Sequence, residues 1–554
     1  MKSIAERGTE ITAGINRQSR IGVSRLFQKN CYMKLLSALL LFLTLSASSV
    51  AQESSKNGSK VPTSSAGVES TDQIVTTRHR VKLGLRVLSY TAKAGFLPIR
   101  HNETGEIHGN MFFVAYQQDR SPGEPERPLM FLWNGGPGAN STLVHLSGFG
   151  PKRIKSNDDP TGPPDCECEL EDNQTSWLDQ ADLVFVDPIG TGFSRPTKAE
   201  YGEEFYSTLG DIASVAEFVR VYLTRFDAWD APLFLTGESY GVWRAAGVAE
   251  ALEQRGVKVA GVILISGGVG AGSVVSDEMR AALFIPTRTA TAFYHKKLQQ
   301  ELQSDLPSTL QKAESWALQE YGPALAKRDS LTESERQTIL RQLSRFTGLD
   351  VSLIDPKALV VRRQQFAEEL LRDRKQVLAR FDTRLTTTAE SSRPPGRRLV
   401  ILKYLRTTLQ FKTDLPYQGI EDGFLPNSGG RPFSVGSRWN YNQGPPVAPG
   451  TPPNTDAPPG GSQPWLTRAI KINPSMKALV AAGMYDSLNS CPLNAYLIDQ
   501  LEPEVKRNIT AECYEGGHMM YESRGARQQL KRDVSKFIQE TLTSGRHSTG
   551  GTND

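Results

Sequence analysis

Cysteine and histidine are scarce in this chain, with five and seven residues among 554. So few cysteines exclude a small disulfide-stapled scaffold, and so few histidines leave a short roll of candidates for acid–base or metal chemistry. Charge of one sign is not in surplus either. The formal net charge is +4, yet residues 1–51 alone hold seven Lys/Arg against two Asp/Glu, so the remainder is close to neutral. Nucleic-acid binding thereby loses its compositional support. No apolar run reaches the roughly 20 residues that cross a bilayer. With 38% hydrophobic and 22% charged residues, neither a polytopic membrane protein nor a wholly disordered chain fits. The length exceeds what one hydrophobic core usually supports, which implies two domains or one large domain with a substantial insertion.

What is present begins with Leu35–Leu45 (LLSALLLFLTL), preceded by Lys34 and followed by small residues ending Ser49-Val50-Ala51. This is the pattern of a secretory h-region and cleavage site, and it predicts a signal peptide over 1–51, with Met33 a more conventional start than Met1. The mature protein is therefore expected to be exported, periplasmic or extracellular, with an uncleaved signal anchor as the one membrane alternative. Export permits disulfides among Cys166, Cys168, Cys491 and Cys513, with three connectivities open. Cys166 and Cys168 could also be read as a ligand pair, but no second ligand cluster at suitable spacing accompanies them, and neither metal nor cofactor is expected.

Residues 52–71 lack apolar periodicity and read as a flexible lead-in. The next segments, RHRVKLGLRVLSYTAKAGFLPIR and GNMFFVAYQQ, predict antiparallel strands near a sheet edge. Short apolar runs follow, PLMFLW, ADLVFVD, APLFLTG, GVILISGG and KALVAAG, each suited to a strand buried on both faces, with helical stretches such as DIASVAEFVRVYLTRF between several of them. This alternation predicts an α/β fold with a mostly parallel central sheet flanked by helices. It breaks over 277–413, where KKLQQELQSDL, LTESERQTILRQLSRFTG and VRRQQFAEELLRDRKQVLARFD are charged and helical, so the core (72–276 and 463–543) is expected to carry an inserted helical cap. A Gly/Pro-rich passage, 414–462, reads as a loop or linker, and 544–554 as a disordered tail.

The strand APLFLTG runs into Gly237-Glu238-Ser239-Tyr240-Gly241 and then into a helical pattern. A serine on such a tight strand-to-helix turn has its hydroxyl pushed out at the top of the sheet, which makes Ser239 the candidate nucleophile. Where a nucleophile sits on such a turn, chain order runs Ser, acid, His. Only His518 and His547 follow KALVAAG, and His547 lies in the tail, so His518 is the candidate base; Asp486, just after that strand, is the candidate acid. Developing negative charge needs preorganised backbone N–H donors. Tyr240, next after the serine, and Gly136, in the Asn134-Gly135-Gly136-Pro137-Gly138 turn after PLMFLW, are the candidates.

WNGGPG at Trp133–Gly138, FGP at Phe149–Pro151, DPIGTGFS at Asp187–Ser194, GESYG at Gly237–Gly241, an Asp after an AAG strand and GHM at Gly517–Met519 together resemble the serine carboxypeptidase family, in particular its bacterial exported members. The resemblance implies an α/β-hydrolase fold and removal of peptide C-terminal residues through an acyl-enzyme. It also implies that Asn134 and Glu238 hold the substrate's terminal carboxylate, Glu238 sharing a proton with a second acid. That second acid would stand at position 148, where this chain has Gly148, so Glu238 is left to pair with Lys152, Arg153 or nothing. GHMMY in place of the family's GHMVP is expected to alter the substrate-side rim beside His518, and Ala139 removes a cysteine the family often has. Trp133 is open to substrate stacking or core packing. The expected partner is a peptide substrate. The alternatives are an esterase, amidase or acyltransferase on the same triad, or a non-catalytic binding protein on the same fold.

Overall fold

The computed structural model describes residues 74–121, 123–156, 169–271, 275–387, 396–419, 435–441 and 463–549. The signal region, the lead-in, Cys166, Cys168 and most of the Gly/Pro-rich passage lie outside them. Three long antiparallel strands open the fold: β1 (Val75–Leu83), β2 (Arg86–Arg100) and β3 (Ile107–Gln118). β4 (Leu129–Trp133) follows, then a small separate pair, β5 (Lys152–Ile154) with β6 (Leu170–Asp172). β7 (Asp182–Val186), β8 (Arg195–Pro196), β9 (Leu233–Glu238), β10 (Val259–Ile265), β11 (Lys477–Gly483) and β12 (Ile509–Tyr514) complete the strands. The main sheet runs β1-β2-β3-β7-β4-β9-β10-β11-β12, with β8 beside β3. From β7 to β12 every pairing is parallel. This is the α/β-hydrolase fold.

The apolar runs form central strands because both faces are covered. In β4, Leu129, Phe131 and Trp133 enter one core cluster while Met130 and Leu132 enter the other, the period-two division of a pleated strand. The first cluster is closed by α1 (Thr208–Arg225) and α2 (Gly241–Glu253), which turn Val215, Val219, Val242 and Ala249 onto the sheet. Trp133, fully buried and donating its indole N–H to Gly241 O at 2.9 Å, is core packing.

The cap contains α3 (Asp277–Leu283), α4 (Ile285–Tyr294), α5 (Leu306–Trp316), α6 (Glu333–Thr347) and α7 (Arg363–Glu369). It has its own apolar cluster, including Ile285, Trp316, Leu343, Phe346 and Leu371. α6 starts on a Thr332–Glu335 capping box and stops at Gly348, whose φ is 71°. Two segments expected to be helical differ. KKLQQELQSDL is turns as far as Asp305, which caps α5 by accepting from Ser308 N–H; Lys296 there takes a left-handed φ of 57°, which interrupts a helix. VRRQQFAEELLRDRKQVLARFD holds only α7 and a short 3₁₀ turn, ending where Lys375 has φ 54°. Val400, Tyr404, Leu405 and Phe411, counted with the cap in the sequence, pack into the second sheet cluster instead.

α8 (Trp465–Ile472) joins the first face, and α9 (Cys491–Asp499) follows β11. α10 (Arg524–Thr549) closes the second face with Leu530, Val534 and Ile538. It continues six residues into the stretch expected as a disordered tail, since extending a formed helix adds a backbone bond for each residue fixed. Cys491 at the start of α9 is bonded to Cys513 on β12. Opening that 22-residue separation in the Cys491→Ala/Cys513→Ala double variant is expected to cost about 3 kcal/mol. A denaturant midpoint unchanged from the native protein would contradict this.

Candidate active site

Register brings the site together. Trp133 at the end of β4 lies opposite Gly237 near the end of β9, so the turns that follow these strands emerge side by side. Ser239 has a φ of 58°, a strained left-handed conformation for a residue with a side chain. Tight neighbours enforce it. A Cβ on Gly237 would sit 1.9 Å from Gly241 O, and one on Gly135 would sit 2.5 Å from Tyr240 N. Glycine is required at both positions because backbone passes directly over backbone.

A buried ion pair fastens the two turns. Arg244 in α2 donates from Nε to Asp211 Oδ2 at 2.7 Å and from Nη1 to Asn134 O at 2.7 Å, and Tyr240 OH donates to the same Asp211 oxygen at 3.2 Å. Burial pushes the Asp211 carboxyl up, while Arg244 and Tyr240 pull against it. Neither residue was picked out from the sequence. The signal available was one arginine within the otherwise buried, apolar VWRAAGVAEAL.

Asp486 follows β11 and His518 follows its neighbour β12. His518 Nδ1 lies 2.7 Å from Asp486 Oδ2, with both side chains buried. The second carboxylate oxygen, Oδ1, accepts from Leu488 N–H at 2.8 Å. Because Asp486 accepts, Nδ1 carries the proton and Nε2 is the acceptor nitrogen. Nε2 has no hydrogen-bond partner among the described residues, and His518 borders the same cavity as Ser239, Gly136 and Tyr240. Burial pulls the imidazole pKa down, but the Asp486 charge and hydrogen bond, helped by Glu238, outweigh it and leave the pKa raised.

The cap reaches this pair. His518 N–H donates to Phe381 O at 2.6 Å, Thr383 N–H donates to Tyr485 O at 3.0 Å, and Ser487 Oγ donates to Arg380 O at 2.5 Å. From the core side, Ser266 Oγ donates to His518 O at 2.6 Å.

Glu238, adjacent to Ser239 in the chain, is buried. Its Oε2 accepts from Asn134 Nδ2 at 2.8 Å and from Tyr521 OH. Its expected partners are engaged elsewhere, Lys152 with Asp172 and Arg153 with Glu171, because β5 and β6 pair those residues across the small sheet. Tyr521 was expected on the substrate rim. It is fully buried, since its ring fills the space next to Gly148, where an added Cβ would touch it at 3.6 Å. Asn173 holds that turn by donating to Gly148 O and Gly150 O, both at 2.8 Å. A tyrosine thus takes the place of the second carboxyl, the partner of Glu238. Burial pushes Glu238 up to about 7, against the lowering pull of His518, Tyr521 and Asn134.

A strained serine on a strand-to-helix turn, facing a buried Asp–His pair across the carboxyl ends of a parallel sheet, defines an α/β-hydrolase of the serine type. Residues 85–388 match the family model described as serine carboxypeptidase, and the chain belongs to that family. Among curated relatives, the pheromone-processing carboxypeptidase kex1 of Neosartorya fischeri is 32% identical over 154 residues, covering 27% of this chain and 22% of that protein. The corresponding enzyme of Saccharomyces cerevisiae is 31% identical over 157 residues, 26% of this chain and 20% of that one. The matches thus span about a fifth of these relatives' length. The crystal structure of Kex1(delta)p, a prohormone-processing carboxypeptidase from S. cerevisiae, aligns with a TM-score of 0.48 at 17% identity, covering 81% of this chain and 91% of that one.

The raised Glu238 pKa carries a stability consequence. Below about pH 4.5 folded and unfolded chains both hold the proton; between there and about 7 only the folded chain does, so this group's contribution falls as pH rises and is constant above that. Glu238→Gln removes the titration. Its stability relative to the native protein is expected to improve from pH 4.5 to 7.5 in denaturant unfolding, and a difference that stays flat with pH would refute the assignment.

Proposed function

We propose that the protein is a serine-type carboxypeptidase that releases C-terminal residues from peptides through an acyl-enzyme. The observation that carries the reading is the buried Asp486–His518 hydrogen bond, with an acceptor Nε2 on the cavity that Ser239 also borders. Ser239 attacks the scissile carbonyl while His518 Nε2 takes its proton, and Asp486 holds the imidazole and balances the charge it gains. Gly136 and Tyr240 N–H groups, the latter at the start of α2 where the helix end is positive, stabilise the oxyanion. His518 then returns the proton to the leaving amine, and water repeats the sequence on the acyl-enzyme. Export of the mature chain rests on the apolar segment Leu35–Leu45.

Reading of the terminal carboxylate falls to Asn134 and Glu238. A Glu238 carboxyl with a pKa near 7 is protonated at acidic pH and donates to a carboxylate, so free-carboxylate peptides favour an acidic range. One observation favours a second reading, an esterase or amidase on the same triad. Asn134, Glu238 and Tyr521 are 1%, 3% and 0% exposed, and among the described residues none of them borders the cavity.

Ser239→Ala is expected to lower turnover by about 10⁴-fold or more with the fold intact, and to abolish labelling by a fluorophosphonate probe. Native-like turnover in that variant would remove Ser239 from the mechanism. Mass spectrometry of peptides at pH 5 is expected to show stepwise loss from free C-termini only, with kcat/KM falling as pH passes about 7. Indifference to C-terminal amidation would transfer the assignment to the second reading.

A further inference from the structure

The cavity that holds Ser239 and His518 has a volume of about 750 Å³, and its other wall is built by the cap. That wall is basic. Among the described residues, Arg280 from α3, Arg288 from α4 and Arg363 from α7 border the cavity, against one acid, Asp277. None of the three guanidinium groups has an ion-pair partner among the described residues. Arg280 and Arg363 are exposed, where water solvates them, but Arg288 is partly buried and its Nη1 is shielded with no hydrogen bond. The nearby Phe284 ring lies 5.9 Å from its Cζ and supplies no acceptor in the guanidinium plane. Burial draws the Arg288 pKa down to about 10, which leaves it charged under any working condition.

A shielded cation with an unsatisfied donor is costly unless something completes it. Two further side chains on the same cavity are in the same state. Asn494 in α9 is 1% exposed, with both Nδ2 and Oδ1 unpartnered, and Asn489 is 5% exposed, with Nδ2 unpartnered. Asn489 stands three residues after Asp486, and Asn494 lies in the helix whose first residue is disulfide-bonded to β12, so both are held by the framework that positions the acid and the base. Three unsatisfied donor groups and one acceptor therefore share a cavity with the reactive serine. Guanidinium and amide donors together match a carboxylate, and the Asn494 oxygen is available to a peptide N–H.

We propose that Arg288, with Asn489 and Asn494, forms a subsite that takes a Glu or Asp side-chain carboxylate next to the scissile bond, making the enzyme selective for acidic peptides. Arg280 and Arg363 add positive potential at the cavity wall, and Arg288 makes the direct contact. The inference rests on the reading of this cavity as the acyl-transfer site. The peptide's own terminal carboxylate, assigned above to Asn134 and Glu238, offers the same chemistry, and the test separates the two.

The test uses the full chain and matched peptides carrying Glu, Gln or Lys before the scissile bond, each with a free or an amidated terminus. The native protein and the Arg288→Ala and Arg288→Lys variants are compared, with fluorophosphonate labelling of Ser239 as the check that each is folded. For a side-chain carboxylate, the native Glu-to-Gln ratio of kcat/KM is expected to be about tenfold or more. It should fall to near one in Arg288→Ala and recover in part in Arg288→Lys. If Arg288→Ala instead collapses only the ratio of free over amidated termini, Arg288 reads the terminus and the acidic selectivity is overturned. If labelled Arg288→Ala changes neither ratio, the subsite is refuted. If the native protein cleaves no peptide, the same comparison with p-nitrophenyl hemisuccinate against p-nitrophenyl butyrate separates the two inferences. A hemisuccinate preference lost in Arg288→Ala then upholds the subsite while the peptidase reading fails, and an unchanged preference overturns it.

Discussion

The site depends on how closely two turns can approach. The turn after β4 and the turn after β9 touch backbone to backbone, with no room for a Cβ on Gly135 or Gly241. That contact holds Ser239 in a left-handed conformation, with Gly136 and Tyr240 bordering the same cavity. Close contact alone would leave buried carbonyls and a strained residue without compensation. The Arg244–Asp211 pair supplies it, tying Asn134 O from one turn and Tyr240 OH from the other to a single guanidinium–carboxylate centre. A desolvated pair of this kind adds little net stability. Its value lies in fixing geometry, since an unpaired Arg244 or Asp211 would be intolerable where it stands.

Much of this arrangement was legible in the sequence because it is written in local chemistry. Five central strands stood out as apolar runs bounded by turn residues, since a strand buried on both faces has no polar alternation. Ser239, Asp486 and His518 could be placed from a tight Gly-x-Ser-x-Gly turn and the order of residues after it. The structure brings Ser239 and His518 to one cavity and hydrogen-bonds Asp486 to His518 behind it. What stayed hidden depends on contacts distant in sequence. Tyr521 meets Glu238 across 283 positions, and Arg244 meets Asn134 across 110. The helical limits in the cap were misjudged where Lys296 and Lys375 adopt left-handed backbone, a choice made by packing that composition does not record.

Glu238 illustrates how one environment can be rebuilt from different parts. A buried carboxyl close to the buried His518 needs its charge managed, and a neighbouring acid would do so by sharing a proton. Here a glycine at 148 opens space and Tyr521 fills it with a phenol that donates to the carboxyl. A phenol lowers the carboxyl pKa where a second carboxylate would raise it. Burial still dominates, and the group stays near neutrality.

The cap is often thought of as a cover that could be exchanged for another. In this molecule the segment Arg380–Thr383 holds the backbone of His518 and, on either side of Asp486, the backbone of Tyr485 and the hydroxyl of Ser487. Catalytic geometry and substrate enclosure are therefore not separable modules. A lineage that remodels the cap to admit a new substrate must keep these few hydrogen bonds in register or lose its base. The cap thus has two obligations, a face turned to the cavity and a strap hydrogen-bonded to the core at His518.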